Sequence, residues 1–428
     1  MTSFGSDLIL ARLRELHPKA IDLSLGRIER LLEALGRPEC RLAPVVHIAG
    51  TNGKGSALAM LDAMLQAAGR RVQRYISPHL VHYNERFLFD GRPIAERELA
   101  DVLDLCERIN RGQPITEFEI TTAAAFLAFG RHPADLLLME TGLGGRLDAT
   151  NVIARPRLTA LSPISLDHQA FLGDTLEQIA FEKAGILKPG VPCVVGPQLP
   201  EALRVIETRA AEIGAPLRLH GRDWSAERVG DRLLVTLGAE KLELPLPALP
   251  GCHQIDNAGL AVACALHLDD LRPDVSAIAR GLLEASWPAR LQHLSSGPLT
   301  RLLPEGAKLW LDGGHNPAAA EALAASMSEG RDPLHLVVGM LSSKDLSGFL
   351  APLAPIASTL RAVAVPDEAA SRDPQEIVGA ALQLGIPATV APHVASAVGQ
   401  IVAEETPPYR ILICGSLYLA GHVLRENG

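Results

Sequence analysis

Residues Gly50 to Ser56 read Gly-Thr-Asn-Gly-Lys-Gly-Ser. Three glycines around one lysine suit the holding of phosphate. Glycine lets the backbone turn its N–H groups inward, a following helix lends the positive end of its dipole, and Lys54 supplies a mobile charge. The apolar run Val45, Val46, His47, Ile48, Ala49 precedes the loop, and the apolar-periodic stretch 57–68 follows it. Strand, loop and helix stand in the order that phosphate binding needs. The loop departs from the Walker pattern: Ile48 stands where a first glycine is expected, and Gly55 follows the lysine, with the hydroxyl displaced to Ser56. A tight turn without a ligand is the plain alternative.

Four further clusters carry chemistry. Ser77-Pro78-His79-Leu80 follows an apolar run, as does the stretch from Glu140 through Thr141, Gly142, Leu143, Gly144, Gly145, Arg146, Leu147, Asp148, Ala149 and Thr150 to Asn151. A carboxylate closing an apolar strand costs burial energy unless something binds it, and a divalent metal is one such partner. A salt bridge from Glu140 to Arg146 is another. Ser165-Leu166-Asp167-His168 ends a third run, where His168 is either a ligand or a satisfied histidine. Glu182-Lys183-Ala184-Gly185 closes a helical stretch, where an exposed charged pair and a glycine cap are the bland reading. One hydroxyl, one carboxylate and one imidazole at strand ends beside a phosphate loop predict a metal site next to a nucleoside triphosphate. The histidine is unusual for Mg²⁺, which prefers oxygen.

Farther along, Leu309-Trp310-Leu311-Asp312 runs into Gly313-Gly314-His315-Asn316-Pro317. Asp312 ends a strand and His315 opens a helix, which a simple capped turn would also explain. Lys344-Asp345 and Cys414-Gly415-Ser416-Leu417-Tyr418 are similar loops, with surface charge and a turn as their alternatives.

These residues need a scaffold. Apolar runs at 45–49, 72–76, 136–140, 158–164 and 192–196 alternate with helical spacing at 96–110, 118–129, 175–184 and 201–213. That alternation predicts an α/β fold, a mostly parallel sheet covered by helices. A hairpin is expected at 232–237 and 241–246, and a helix at 254–268. The segment Ser286-Trp287-Pro288-Ala289-Arg290 breaks the pattern, and a second alternating set fills 309–414. The expectation is an ATP-binding domain over 1–286, a hinge at 287–298, and a smaller Rossmann-like domain over 299–428. Two strand-end surfaces, one per domain, would form a cleft if the hinge folded them face to face.

Composition narrows the function. The 428 residues are 47% hydrophobic and 21% charged, with a net charge of −9, and no Lys/Arg cluster suggests nucleic acid. Six scattered cysteines without a CxxC pair fit reduced thiols in a cytoplasm. Charges interrupt the N-terminal apolar residues, so no signal peptide is expected, and the longest apolar stretch is too short for a bilayer. A monomer acting on small molecules is expected, with no membrane partner.

The chain resembles the folylpolyglutamate synthases, often also dihydrofolate synthases, of the Mur ligase superfamily. GTNGKGS, SPHL, ETGLGGRLDATN, LDH, EKAGI and DGGHNP occur in family order and spacing, from about residue 15 to near the C-terminus. The resemblance implies that Lys54 and the backbone of Thr51, Asn52, Gly53, Gly55 and Ser56 hold the ATP phosphates. It implies Ser77, Glu140 and His168 as ligands of Mg²⁺, one or two ions. Lys183 matches a lysine that carries a carbamate and can bind a second ion. Asn257, Arg290 and Asp312 match nucleotide contacts. His315 matches a functional histidine that, with Ser416, would meet glutamate. Leu16, His17, Pro18, Thr116, Glu117, Phe118, Glu119 and Leu147 match contacts to the pterin substrate.

Two residues depart from the family pattern. Ala289 stands where a hinge glycine is usual, and Gly314 where alanine is frequent. Alanine disfavours positive φ, so the first departure bears on the hinge backbone. Mur cell-wall ligases carry an additional N-terminal domain, and the 49 residues ahead of the loop favour the folate branch.

The implied activity is ATP-dependent amide formation: dihydropteroate or a folate is activated as an acyl phosphate, and the amine of L-glutamate displaces phosphate. A folylpolyglutamate synthase alone, a P-loop ATPase switch and a small-molecule kinase are the rivals. Phosphate release that requires both substrates separates the ligase from the last two.

Overall fold

Strand Val45–Ala49 is buried along its whole length and lies inside an eight-stranded sheet. The computed structural model describes residues 5–17, 19 and 21–427. Pro18, one of the expected pterin contacts, lies outside the described residues. In order across the sheet run Arg92–Pro93, Phe87–Phe89, Val72–Tyr75, Leu136–Glu140, Val45–Ala49, Leu158–Leu161, Cys193–Val195 and Leu217–Leu219. The six strands from Val72–Tyr75 onward are parallel, and the first two add an antiparallel edge. Apolar residues cover both faces, as a parallel sheet between helices requires.

Register sets the site. Ile48 pairs with Glu140 on one side and with Ala160 on the other. The chain leaving the central strand therefore emerges between the ends of two neighbours, where such sheets bind ligands. The loop ends in helix Lys54–Ala67, which is buried on nearly every face. Helix Val275–Glu284 packs on it so closely that a Cβ at Gly281 would lie 2.4 Å from the Met64 backbone.

The expected hairpin is present as Arg232–Leu237 and Glu240–Pro245, but Trp224–Val229 adds a third antiparallel strand. Its pattern is mixed and mostly exposed toward its end, so periodicity did not mark it. Helix Gln254–Leu266 follows, and a Cβ at Gly259 would strike Ala226 at 2.3 Å.

The chain divides into two compact units. The first comprises the chain up to Ser165, with Gln169–Ala248 and Ile255–Ala285. The second runs from Ser286 onward and includes Leu166–His168 and Leu249–Gln254. It has a six-stranded sheet in the order Gln292–Leu294, Ala307–Leu311, Tyr409–Cys414, Leu334–Val338, Ala357–Ala362, Ala388–Val390. All neighbours are parallel except the first pair.

The segment expected as a hinge is thus partly strand. Asn427 also ties its end, donating from Nδ2 to Ser296 O at 2.8 Å and accepting from Leu299 N at 2.8 Å. Ala289 takes the positive φ, 56°, that a glycine would take there, although its methyl is fully buried. Burial offsets a backbone cost of roughly 1 to 2 kcal/mol.

Candidate active site

In the first unit, two glycines of the loop, Gly50 and Gly53, are sterically required. Gly50 has φ +149°, and a Cβ there would sit 1.9 Å from Ser162 Oγ. Gly53 has φ +87°, precedes the helix, and would drive a Cβ to 2.2 Å from Asn257 Oδ1. Asn257 is therefore pressed against the loop. The N–H groups of Thr51 and Asn52 donate to Pro163 O at 3.0 and 3.4 Å. Thr51 Oγ1 accepts from Ser165 N and donates to Ser165 O, both at 3.0 Å. These bonds brace the loop at Thr51 and Asn52, and the helix that follows begins at Lys54, where its first N–H groups have no intrahelical acceptor.

Lys54 Nζ donates to Gly50 O and Thr51 O, each at 3.1 Å, and lies 3.7 Å from Glu140 Oε1. Lys183 is not an exposed charge. It is 6% exposed, and its Nζ donates to Gly50 O at 2.8 Å. Arg146 pairs with Glu182 at 2.9 Å, not with Glu140. Gly144, at φ +69°, turns the loop so that Arg146 N bonds Glu182 O at 2.7 Å, which carries the guanidinium to the helix end. A Cβ at Gly145 would meet Lys183 O at 2.8 Å, and one at Gly185 would meet the Arg146 Cα at 2.4 Å. The two glycines thus let the Glu140 loop lie directly on the end of the Lys183 helix.

A buried chain of hydrogen bonds supports the same loop. Asp148 accepts from Leu143 N at 2.7 Å and from Thr150 N at 2.9 Å, and Thr150 Oγ1 also donates to it. Thr150 Oγ1 therefore accepts from His47 Nε2 at 2.8 Å. Burial pulls the His47 imidazole down to about 3, helped by the charge of Lys188, so the ring is neutral. Burial pushes the Asp148 carboxyl up, against the bonds from Thr150 and Leu143.

The residues matched to the pterin site are anchored as follows. Thr116 caps helix Glu117–Phe129 in a reciprocal box with Glu119, and Glu119 also takes Arg27 at 2.9 Å. Glu117 pairs with Arg14 at 2.7 Å. The Phe118 ring packs on Gly142, where a Cβ would come within 2.3 Å. His17 Nε2 lies 3.3 Å from Asp22, and Leu16 and Leu147 are half-buried.

In the second unit, Asp312 accepts from Leu291 N and Gly314 N, both at 2.6 Å. His253 is near Asp312 and Arg290; burial and Arg290 lower its imidazole, against Asp312. Gly415 N donates to Gly314 O at 3.0 Å, joining two strand-end loops. Ser416 is buried, and its Oγ accepts from Tyr418 N at 3.1 Å, which makes the supposed turn the start of helix Leu417–Asn427. His315 Nδ1 donates to Gly313 O at 2.9 Å.

Sequence reasoning left Asp167 and Lys344 without roles, yet they organise this unit's polar cluster. Lys344 Nζ is 2.6 Å from Asp167 Oδ1, Asn316 Nδ2 donates to Oδ2 at 3.2 Å, and His315 Nε2 lies 3.6 Å from Oδ2. Burial opposes the Asp167 charge, but the hydrogen bond from His315 and the charges of Lys344 and His168 hold the carboxyl well below its usual range. His168 has φ 53° and stands 3.5 Å from Lys344 Nζ. Its tripeptide, Leu-Asp-His, was the available signal.

Glu140 and Ser77 offer oxygen donors at the ends of adjacent strands, a donor set that fits a hard divalent cation. His168 belongs to the second unit's cluster. Among the described residues, no three His, Cys, Asp or Glu side chains group so as to hold a metal by themselves.

A profile of the Mur ligase, glutamate ligase domain, matches residues 299–417. A dihydrofolate synthase/folylpolyglutamate synthase of Bacillus subtilis is 36% identical over 359 residues, 78% of this chain and 80% of that one. Escherichia coli FolC, solved in complex with DHPP and ADP, superposes with a TM-score of 0.89 at 32% identity, covering 99% of this chain and 97% of the other. A bifunctional folylpolyglutamate synthase/dihydrofolate synthase with Mn, AMPPNP and L-glutamate bound gives 0.86 at 32% identity, covering 99% and 98%.

Proposed function

The chain belongs to the dihydrofolate synthase/folylpolyglutamate synthase family of Mur ligases, and from that premise we propose how its own residues perform the reaction. The enzyme is an ATP-dependent acid–amino-acid ligase that adds L-glutamate to dihydropteroate and to folates. One observation carries the assignment of roles. Lys54, Lys183 and Glu140 converge on a glycine loop at the end of the central strand.

The first unit takes ATP. The N–H groups from Gly53 to Ser56 bind its phosphates, with Asn257 fixing the loop behind them. A carboxylate oxygen of the folate attacks the γ-phosphorus, ADP departs, and an acyl phosphate forms. Lys54 neutralises charge on the transferring group, as phosphoryl transfer requires. A divalent metal, Mg²⁺ in this proposal, would be held by Glu140 and Ser77 and would supply charge neutralisation at the phosphates. The amine of L-glutamate then attacks the acyl carbon, loses a proton, and phosphate leaves.

Lys183 acts as a carbamate. Its neutral amine takes up CO₂ and releases a proton. One Nζ–H remains, so the bond to Gly50 O is kept. Arg290 and Asp312 are the nucleotide contacts of this proposal, and His315 and Ser416 the contacts to glutamate. The pterin lies against Phe118 and Leu147, on the face carrying Leu16, His17, Pro18, Thr116, Glu117 and Glu119. Free thiols at all six cysteines fit a cytoplasmic enzyme, here taken as a monomer.

The test is product analysis. Purified protein with ATP, Mg²⁺ and glutamate, given dihydropteroate or tetrahydrofolate, should yield the glutamyl amide of each. Phosphate release should need glutamate and pterin together. Turnover without them would point to an ATPase switch, and product from tetrahydrofolate alone would restrict the enzyme to chain extension.

A further inference from the structure

We propose that Asp62 is a positioning residue: it draws the Arg74 guanidinium away from Glu140 and so keeps that carboxylate open to a divalent cation. This deepens the metal reading of Glu140 given above and rests on it. All three residues belong to the first unit. Arg74 lies on strand Val72–Tyr75 and pairs with Leu138 of strand Leu136–Glu140. Residues two apart in a strand share a face, so Arg74 and Glu140 stand on the same side of the sheet. Helix Lys54–Ala67 packs on that side, since it brings Lys54 to Glu140 and Asp62 to Arg74.

Arg74 Nη1 lies 3.1 Å from Asp62 Oδ2, and the two side chains are 11% and 5% exposed. Gln66, one turn farther along the helix, donates from Nε2 to Asp62 Oδ1 at 2.7 Å. Both oxygens of the Asp62 carboxylate are thus engaged, one by a charge and one by an amide. Between helix and strands the charges alternate: Lys54, Glu140, Arg74, Asp62. Burial lowers the Arg74 value, and the charges of Asp62 and then Glu140 oppose it. The two carboxylates therefore compete for one guanidinium.

The outcome of that competition matters to a cation. A guanidinium keeps its charge and binds a carboxylate through two parallel donors. Were Glu140 to win it, the arginine would take the oxygens that a metal needs. Asp62, steadied by Gln66, turns the fork the other way. Two buried charges contribute little net stability over apolar residues of the same volume, so stability alone does not account for the pair. Asp62 touches neither metal nor substrate and acts only through Arg74.

The experiment measures Mn²⁺ binding to the full-length enzyme from the electron paramagnetic signal of the free ion, with a non-hydrolysable ATP analogue and neither folate nor glutamate. Asp62→Asn, Arg74→Met, the double variant and Glu140→Gln are compared with wild type, with thermal unfolding of each. Asp62→Asn should weaken Mn²⁺ binding roughly ten- to a hundred-fold, because Arg74 then turns to Glu140. Arg74→Met should bind Mn²⁺ at least as tightly as wild type. The double variant should return to within about three-fold of wild type, since its arginine is gone. A purely structural pair predicts another pattern. Each single variant leaves one buried charge without its mate, so both would lose stability and metal together. That joint loss would overturn the proposal, as would unchanged Mn²⁺ binding in Asp62→Asn or a double variant as weak as Asp62→Asn. Should Asp62→Asn fail to fold, Gln66→Met loosens Asp62 more gently and should weaken Mn²⁺ binding in the same direction, with Arg74→Met restoring it; unchanged binding in Gln66→Met would then overturn the proposal. Failure of the metal reading is distinct: Glu140→Gln itself would bind Mn²⁺ as wild type does.

Discussion

Lys54 and Lys183 donate to the same oxygen, the carbonyl of Gly50, at 3.1 and 2.8 Å. Glu140, 3.7 Å from Lys54, is the carboxylate at this point. Two ammonium groups on one neutral acceptor repel each other. A phosphate among them, or conversion of one amine to a carbamate, relieves that repulsion. The relationship favours an anion at the loop by electrostatics as well as by backbone shape.

Lys54→Ala should reduce ATP-dependent turnover by at least about 100-fold, the scale seen when one transition-state donor is removed. Its bonds go to loop carbonyls and its stem supports no core, so the melting temperature should hold. A steady-state assay paired with thermal unfolding checks this. A folded variant with ordinary activity would remove Lys54 from phosphate binding.

Lys183→Ala should lose activity and regain part of it with added formate or acetate. The lysine is buried against Gly50, so a small carboxylate can enter the space its side chain leaves and restore the negative charge. Mass spectrometry of native protein under CO₂ should also show a gain that vanishes at low pH. Unaided activity in the variant would end the carbamate idea.

His47 makes stability depend on pH. Its ordinary value is 6.5 and its folded value is about 3. Between those limits the unfolded chain binds the extra proton, so stability falls as pH drops from 6.5 toward 3. The slope from this one group approaches about 1.4 kcal/mol per pH unit. Above 6.5 it adds no slope. Urea unfolding at pH 7 and pH 5.5 should show a smaller difference for His47→Gln than for wild type. Equal differences would show that the imidazole is not the source.

Gly314→Ala should not be neutral, although alanine is frequent at this place in the family pattern. A Cβ would stand 2.9 Å from Asp312 Oδ1 and 3.1 Å from the Ala319 methyl. Overpacking of this kind costs roughly 1 to 3 kcal/mol. Because Asp312 also holds Leu291 N, the variant should lose thermal stability and bind ATP more weakly. A melting curve and an ATP KM that both match wild type would show that the loop yields freely.

Much of the first unit was legible. The loop, Glu140 and the parallel strands announce themselves because a buried parallel strand is a continuous apolar run and a ligand loop is rich in glycine. The edge strands Phe87–Phe89 and Gln292–Leu294 were not legible, since three residues give no period to read. Asp167 and Lys344 were legible as residues but not as a pair, because only the folded chain joins them. Thr116 and Glu119 carry a double meaning: their Thr-x-x-Glu spacing starts a helix, while the family resemblance matched the same two residues to substrate contacts.

Gly281 lies in a helix that carries none of the residues assigned to the chemistry, yet it governs where the chemistry happens. Its missing side chain lets Val275–Glu284 touch the Met64 backbone within the helix that begins at Lys54. A methyl added at position 281 would press on the far end of that helix, and a helix displaced there carries the amides of its near end with it. A variant at position 281 would then present as a defect in nucleotide affinity with every nucleotide-contacting residue intact. Screens that look for function only among polar residues would overlook it.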